Sequence, residues 1–100
     1  MNISITARKF KARQTLKDFI SSEVKGLKKY NDDILSAVVI LSYMNSKDSI
    51  KSAEIILQVP GQTLSANVDS DDFEKSVSSS IEKLSRQLKK LKTKRVLKLR

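Results

Sequence analysis

Basic side chains recur at helical spacing near the end of this 100-residue chain. Four of them stand at steps of three and four residues: Lys83, Arg86, Lys90 and Lys94. That spacing places side chains above one another along one side of a helix. Nine lysines and arginines occupy residues 83–100, with no acid among them. Such a density of cations binds phosphates by direct attraction and by release of counterions, so the pattern predicts a phosphate-binding helix.

A helix dipole or a membrane surface accounts less well for this concentration of charge. Basic residues at a helix end complement the macrodipole, but that benefit, about 0.3–1 kcal/mol per charge, is confined to the last turn. A membrane-adsorbed helix needs a free apolar face, and here the apolar residues of the helix are required to cover a sheet. A basic side alone is also compatible with a merely solvated surface. The scarcity of aromatic residues favours recognition of structured RNA by shape and backbone over stacking on single-stranded bases.

The composition removes most enzyme chemistry. The chain has no cysteine and no histidine, which excludes thiolate nucleophiles, imidazole acid–base catalysis and the usual zinc ligands. Asp69, Asp71 and Asp72 precede the last helix, where carboxylates are more often caps than Mg²⁺ ligands. We therefore predict a protein that is not an enzyme and that binds no metal and no cofactor.

Size and charge limit the organisation and the partners. One hundred residues suit one domain, which we place at residues 1–95 and follow with a short basic tail at 96–100. The net charge of +9 favours an anionic partner. The longest apolar run, residues 37–41, is too short to cross a bilayer. We expect a cytoplasmic protein that does not contact a membrane.

The first half of the chain predicts a strand followed by a helix. Ile3, Ile5 and Ala7 alternate with polar residues, the period of a half-buried strand. Residues 13–30 have helical periodicity, and Gly26 within them is expected to weaken the last turn.

Three further strands are predicted before the last helix. They cover residues 34–44, 50–59 and 63–68, separated by a polar connection at 45–49 and by the Pro-Gly turn at 60–61. In the second of them Ala53, Ile55, Leu57 and Val59 should point inward.

The last helix is expected to begin with Asp71 as its N-cap and Glu74 three positions later. Its apolar stripe is Phe73, Val77, Ile81, Leu84, Leu88 and Leu91. The predicted fold class is α+β with the order β-α-β-β-β-α, both helices packed on one face of a four-stranded sheet. The first strand should pair in parallel after its helical crossover, and the later three should form an antiparallel meander.

At this level of detail the sequence resembles a known family. The stretches "ISITARKFKARQTLKDFI" and "SAEIILQVPGQTLSANVDSDDFEKSV" are similar to the opening and the later strands of short ribosome hibernation-promoting factors. "EKLSRQLKKLKTK" matches the K-L-x-R-Q-L-x-K-x-K-x-K pattern of that family, the ribosome-associated inhibitor and sigma-54 modulation proteins. The resemblance implies a fold related to double-stranded-RNA-binding domains.

The resemblance also implies a function. Members bind 16S rRNA of the small ribosomal subunit near the decoding centre, where they block the mRNA and tRNA sites. In slow growth or stress they promote inactive 70S ribosomes and 100S dimers, short members usually together with a second small ribosome-dimerising factor. We expect a monomer away from the ribosome. The alternative is a general structured-RNA-binding module without ribosome specificity.

The family motif marks the residues expected to contact rRNA. On the last helix these are Lys83, Arg86, Gln87, Lys90, Lys92 and Lys94. Many members carry lysines at the positions of Glu23 and Gly26, from which this sequence departs. Lys25, Lys28 and Lys29 are expected to take their place from a different face of the first helix.

Overall fold

The computed structural model describes residues 1–44 and 50–98, with side chains described for 1–43 and 50–91. Its elements are β1 (Asn2–Arg8), α1 (Gln14–Lys25), a 3₁₀ segment (Gly26–Lys29), β2 (Ser36–Met44), β3 (Ile50–Val59), β4 (Gln62–Ser70) and α2 (Phe73–Lys98). The predicted β-α-β-β-β-α order is confirmed. The connection predicted at residues 45–49 lies outside the described residues.

The four strands form one sheet in the order β1-β2-β3-β4. β1 pairs with β2 in parallel, with Ile5 opposite Val39. β2 and β4 both pair with β3 in antiparallel, so Val39 faces Ile55 and Ile55 faces Ala66. The parallel first strand and the antiparallel meander are therefore as predicted.

The core lies between the helices and one face of the sheet. Because side chains alternate between the two faces of a strand, every second residue of β3 is buried: Ala53, Ile55, Leu57 and Val59. Gln58 on the opposite face is exposed. The predicted inward set of this strand is confirmed.

The first helix is shorter than residues 13–30. It buries Ile20 and Val24, ends at Lys25, and continues as the 3₁₀ segment that buries Leu27. Glycine has a helix propensity about 1 kcal/mol poorer than alanine, and short 3₁₀ pieces are common at helix ends. The weakness expected at Gly26 is confirmed, but the prediction of one continuous helix to Tyr30 was wrong.

The apolar stripe of α2 faces the sheet. Val77 and Leu84 are fully buried and Leu88 is 1% exposed, while Phe73, Ile81 and Leu91 pack partly buried against the core. The helix continues to Lys98. Residues 96–98 of the predicted tail are thus helical in backbone conformation, and a domain boundary at 95 stays a prediction.

The N-cap of α2 is one residue later than predicted. The backbone N–H of Glu74 donates to Oδ1 of Asp72 at 3.3 Å, so Asp72 is the cap. Asp71 instead pairs with Lys75, with its Oδ1 3.4 Å from Nζ. The extra strand residues Asp69 and Ser70 shift the helix start, since β4 continues to Ser70.

Two buried serines let α2 lie close to β3. Ser76 Oγ donates to the Lys51 carbonyl oxygen at 2.8 Å and lies 2.6 Å from Ser70 Oγ. Ser80 Oγ is 2.8 Å from the Ser76 carbonyl oxygen and 3.3 Å from that of Ala53. The serine side chain is short, so its hydroxyl can bond to a backbone carbonyl while the helix stays near the strand. These serines add polar anchoring to the apolar stripe.

Ser80→Ala should destabilise the fold by about 1 kcal/mol more than Ser79→Ala, because only Ser80 is buried and bonded to backbone carbonyls. Ser79 is the matched control, since it is the exposed neighbour in the same helix and both changes alter helix propensity equally. Urea unfolding of the two variants measures the difference. Equal free energies of unfolding would show that the Ser80 hydroxyl does not anchor α2.

Candidate nucleic-acid interface

The side of α2 opposite its apolar stripe is basic and exposed. The described cations on it are Lys83, Arg86, Lys89 and Lys90. Lys92 and Lys94 belong to the same helix, but their side chains lie outside the described residues. We call the outward surface of Lys83, Arg86, Lys89 and Lys90 the α2 basic side. A polyanion can approach it without displacing any part of the core.

One cation of the α2 basic side is oriented by an acid of the same helix. Arg86 Nη2 donates to Glu82 Oε1 at 2.7 Å across one helical turn, and the two side chains are 66% and 63% exposed. Exposed pairs of this kind contribute about 0.2–1 kcal/mol. Arginine has five N–H donors, so the pairing leaves several for a phosphate. Glu82 therefore orients Arg86 and leaves most of its donors available.

Gln87 has an internal partner. Its Nε2 donates to the Ser65 carbonyl oxygen of β4 at 2.9 Å, and the residue is half-buried. This bond ties α2 to the neighbouring strand. One amide N–H and the side-chain oxygen remain for an outside partner, so an rRNA contact at Gln87 stays a prediction.

The 3₁₀ segment after α1 and the α2 basic side meet at one tyrosine, Tyr30. Lys29 Nζ lies 5.1 Å and Lys89 Nζ 5.2 Å from the centroid of the Tyr30 ring. Both distances are within the range of cation–π interaction. Lys28 and Lys29 are exposed beside this tyrosine, and Lys25 is exposed at the end of α1. The structure thus brings Lys29, one of the three cations predicted at the end of the first helix, next to Lys89 of the last helix.

Lys89 was absent from the predicted site residues. It stands three positions after Arg86, so helical spacing alone could have included it. Its contact with Tyr30 could not be read from spacing, because the two residues are far apart in the chain. Tyr30 is partly buried and packs against the core.

A hollow of about 300 Å³ adjoins this junction. Its lining comprises Lys28, Lys29, Tyr30, Asn31, Asp32, Asp33 and Leu91. Two lysines and two aspartates share the hollow, so its charge is mixed. The basic surface for a polyanion is therefore the open helix side and not this hollow.

Two of the three aspartates before α2 have structural partners. Asp72 caps the helix and Asp71 pairs with Lys75. Within residues 1–44 and 50–98, no three acidic side chains are grouped as a metal site would require. Nor does any helix in that part of the chain combine the length and apolarity needed to cross a membrane.

Solved structures share this arrangement of a four-stranded sheet with two helices. The N-terminal domain of Thermus thermophilus Protein Y has a TM-score of 0.82 at 24% identity, covering 91% of this chain and 99% of that domain. A ribosomal subunit interface protein from Coxiella burnetii has a TM-score of 0.83 at 25% identity, covering 93% and 99%. The α+β fold class predicted from the sequence is confirmed.

Sequence comparison defines the family. Residues 3–96 match the family model of the Sigma 54 modulation protein / S30EA ribosomal protein. The chain belongs to this family, as its resemblance indicated. It is similar to the ribosome hibernation promoting factor of Pseudomonas putida, with 28% identity over 94 residues, 94% of this chain and 89% of that protein. The factor of Azotobacter vinelandii is 28% identical over 96 residues, 96% of this chain and 87% of that protein.

Gln87→Ala should lower the free energy of unfolding by about 0.5–1.5 kcal/mol, because it removes the bond to the Ser65 carbonyl. The affinity of the Gln87→Ala variant for structured RNA should change less than the affinity of the Lys83→Ala variant, because Lys83→Ala removes a charge. Gln62→Ala is the control, an exposed glutamine in β4. Chemical unfolding and RNA titration of all three variants separate the two roles. A large loss of RNA affinity in Gln87→Ala, with unchanged stability, would make Gln87 chiefly a contact residue.

Proposed function

We propose that this protein is a ribosome hibernation factor. It binds the 30S subunit on 16S rRNA near the decoding centre and blocks the mRNA and tRNA sites. In slow growth or stress it promotes inactive 70S and 100S ribosomes, the latter with a second small ribosome-dimerising factor. Family membership and the names of the relatives support this role. The structural observation that supports this role is the exposed basic side of α2, whose other side is packed on the sheet.

The proposed mechanism is occupancy of a site and not a reaction. Lysines supply mobile point charges, and Arg86 supplies a planar fork that fits a phosphate. The proposed rRNA contacts are Lys83, Arg86, Gln87, Lys90, Lys92, Lys94, Lys25, Lys28 and Lys29, to which Lys89 is added. The protein would act in the cytoplasm as a non-catalytic, monomeric ligand of the ribosome.

Rigidity favours this mechanism. Leu84 and Leu88 hold α2 on the sheet. The contacts of Tyr30 with Lys29 and Lys89 link α2 to the 3₁₀ segment after α1. Cations on a packed helix lose less conformational freedom on binding than cations on a free segment. The protein can therefore present its charges in one arrangement to a folded RNA.

A general structured-RNA-binding module is the second candidate. Phosphate contacts fix position but carry no sequence information, and the α2 basic side consists mostly of phosphate-binding groups. Competition between purified 30S subunits and bulk duplex RNA distinguishes the two. Preference for 30S subunits supports a hibernation factor, and equal competition supports the general module.

Neutralising Lys83, Arg86 and Lys90 together with glutamine should sharply reduce co-sedimentation with 30S subunits. The slope of log affinity against log salt should become shallower by about 2–3 units, since each phosphate contact contributes about 0.7–0.9. The control replaces Lys17, Lys51 and Lys75 with glutamine, which removes the same charge from elsewhere. Unchanged sedimentation and slope in the first triple variant would exclude the α2 basic side as the ribosome-binding surface.

Site occupancy predicts competition. Increasing protein should release mRNA and P-site tRNA from 30S subunits, and excess mRNA with tRNA should in turn weaken binding of the protein. Filter binding with labelled tRNA measures the first effect, and sedimentation of the protein measures the second. Simultaneous binding of all three, with no change in either affinity, would place the protein elsewhere on the subunit.

A further inference from the structure

A second basic cluster lies at the end of β1 and in the connection from β1 to α1. Four of the six residues from position 8 to 13 are cations: Arg8, Lys9, Lys11 and Arg13. All four are exposed. We call them the loop cluster. Neither the family motif nor the α2 basic side includes them.

Alternating burial fixes which way this loop points. Phe10 is half-buried and stacks on Phe73 of α2, with ring centroids 4.9 Å apart and an interplanar angle of 15°. Ala12 is buried, at 7% exposure. Lys9, Lys11 and Arg13 stand between and beside these anchors and point to solvent. The loop therefore holds its cations outward on an anchored backbone.

The backbone at Lys9 is strained, and the packing of Phe10 and Ala12 must offset that strain. Its φ of 66° is in the left-handed region. That conformation costs roughly 1–2 kcal/mol for a residue with a Cβ. Lys9 has this conformation at the start of the connection, one residue before the Phe10 stack, and its side chain is exposed.

Internal neutralisation does not account for the loop cluster. Asp72 and Glu74 share a shallow hollow of about 390 Å³ with Lys11 and Arg13. Yet none of the four loop cations forms an ion pair with a described side chain. The four loop cations are thus left for a partner outside the molecule. Asp72 and Glu74 repel an anion from the hollow, so an anion would bind on the outer side of the loop.

We propose that the loop cluster is a second RNA-phosphate contact, separate from the α2 basic side. This inference rests on the proposed RNA-binding function. Phe73 touches the loop, and the α2 basic side from Lys83 to Lys90 lies 10–17 positions further along α2, which is about 15–26 Å at 1.5 Å per residue. An RNA that reaches both clusters must present phosphates at two places that far apart. Folded RNA with neighbouring strands or grooves meets this condition.

The experiment compares Lys9→Asn/Lys11→Gln with a matched control, Lys51→Gln/Lys75→Gln, which removes the same charge. Asparagine is chosen at position 9 because it tolerates a positive φ. Affinity is measured over a range of salt for 30S subunits and for 16S rRNA freed of protein. The loop variant should lower the log–log salt slope by about 1.4–1.8 units with both RNAs. The control should keep the wild-type slope. Because Lys51 donates to the Asp71 carbonyl oxygen and Lys75 pairs with Asp71, thermal midpoints are measured for all proteins, and slopes are compared at a temperature where each is folded.

The outcomes separate this inference from the proposed function. An unchanged slope with both probes overturns the loop contact. A reduced slope with 30S subunits alone assigns the loop to a ribosomal protein and overturns the RNA contact. If the wild type shows no preference for 30S subunits, the hibernation role fails while naked rRNA still decides the loop contact. Binding to neither probe overturns both.

A second pair of substitutions guards against misfolding. If Lys9→Asn/Lys11→Gln lowers the thermal midpoint, Lys11→Gln/Arg13→Gln leaves the strained residue intact and removes the same charge. Its slope should fall by the same amount, because both of its cations belong to the loop cluster. A wild-type slope in this folded variant would overturn the inference.

Discussion

The packing of α2 against β3 and β4 is the constraint on which the other features depend. Val77, Leu84 and Leu88 are removed from water, and Ser76 and Ser80 bond to backbone carbonyls at the same contact. A helix turns about 100° per residue, so burying this stripe fixes the direction of every other side chain. Because these apolar residues face the sheet, the basic residues on the opposite side of α2 must face solvent.

This arrangement has an electrostatic cost. A net charge of +9 on 100 residues disfavours the compact state by self-repulsion, most strongly where cations succeed one another on α2. Burial of the apolar stripe offsets that cost, at about 25 cal/mol per Å² of apolar surface removed from water. Acids at the start of α2 do not reach the cations at its other end. Binding to a polyanion would relieve the repulsion, which is one physical reason to find such a surface on a binding protein.

Much of the fold could be predicted because its signals are local. The alternation from Ala53 to Val59 and the stripe of α2 each reveal a face from neighbouring residues in the chain. The features that were missed depend on contacts between distant residues or on small shifts of an end. Asp72 replaces Asp71 as the cap since β4 continues to Ser70. The meeting of Lys89 with Tyr30 and the Phe10–Phe73 stack join elements whose approach only the folded chain defines.

Specific recognition by such a surface has to come from the spacing of its cations. Phosphates are the same in every RNA, so cations that bind them select a partner only through their fixed positions. The structure holds these positions at three points: the stripe of α2, the Tyr30 junction between Lys29 and Lys89, and the stack that anchors the loop after β1. Each point joins elements far apart in sequence. Loosening any of them would preserve the charge and lose the geometry, so fold stability and the selectivity of the proposed RNA binding depend on the same contacts.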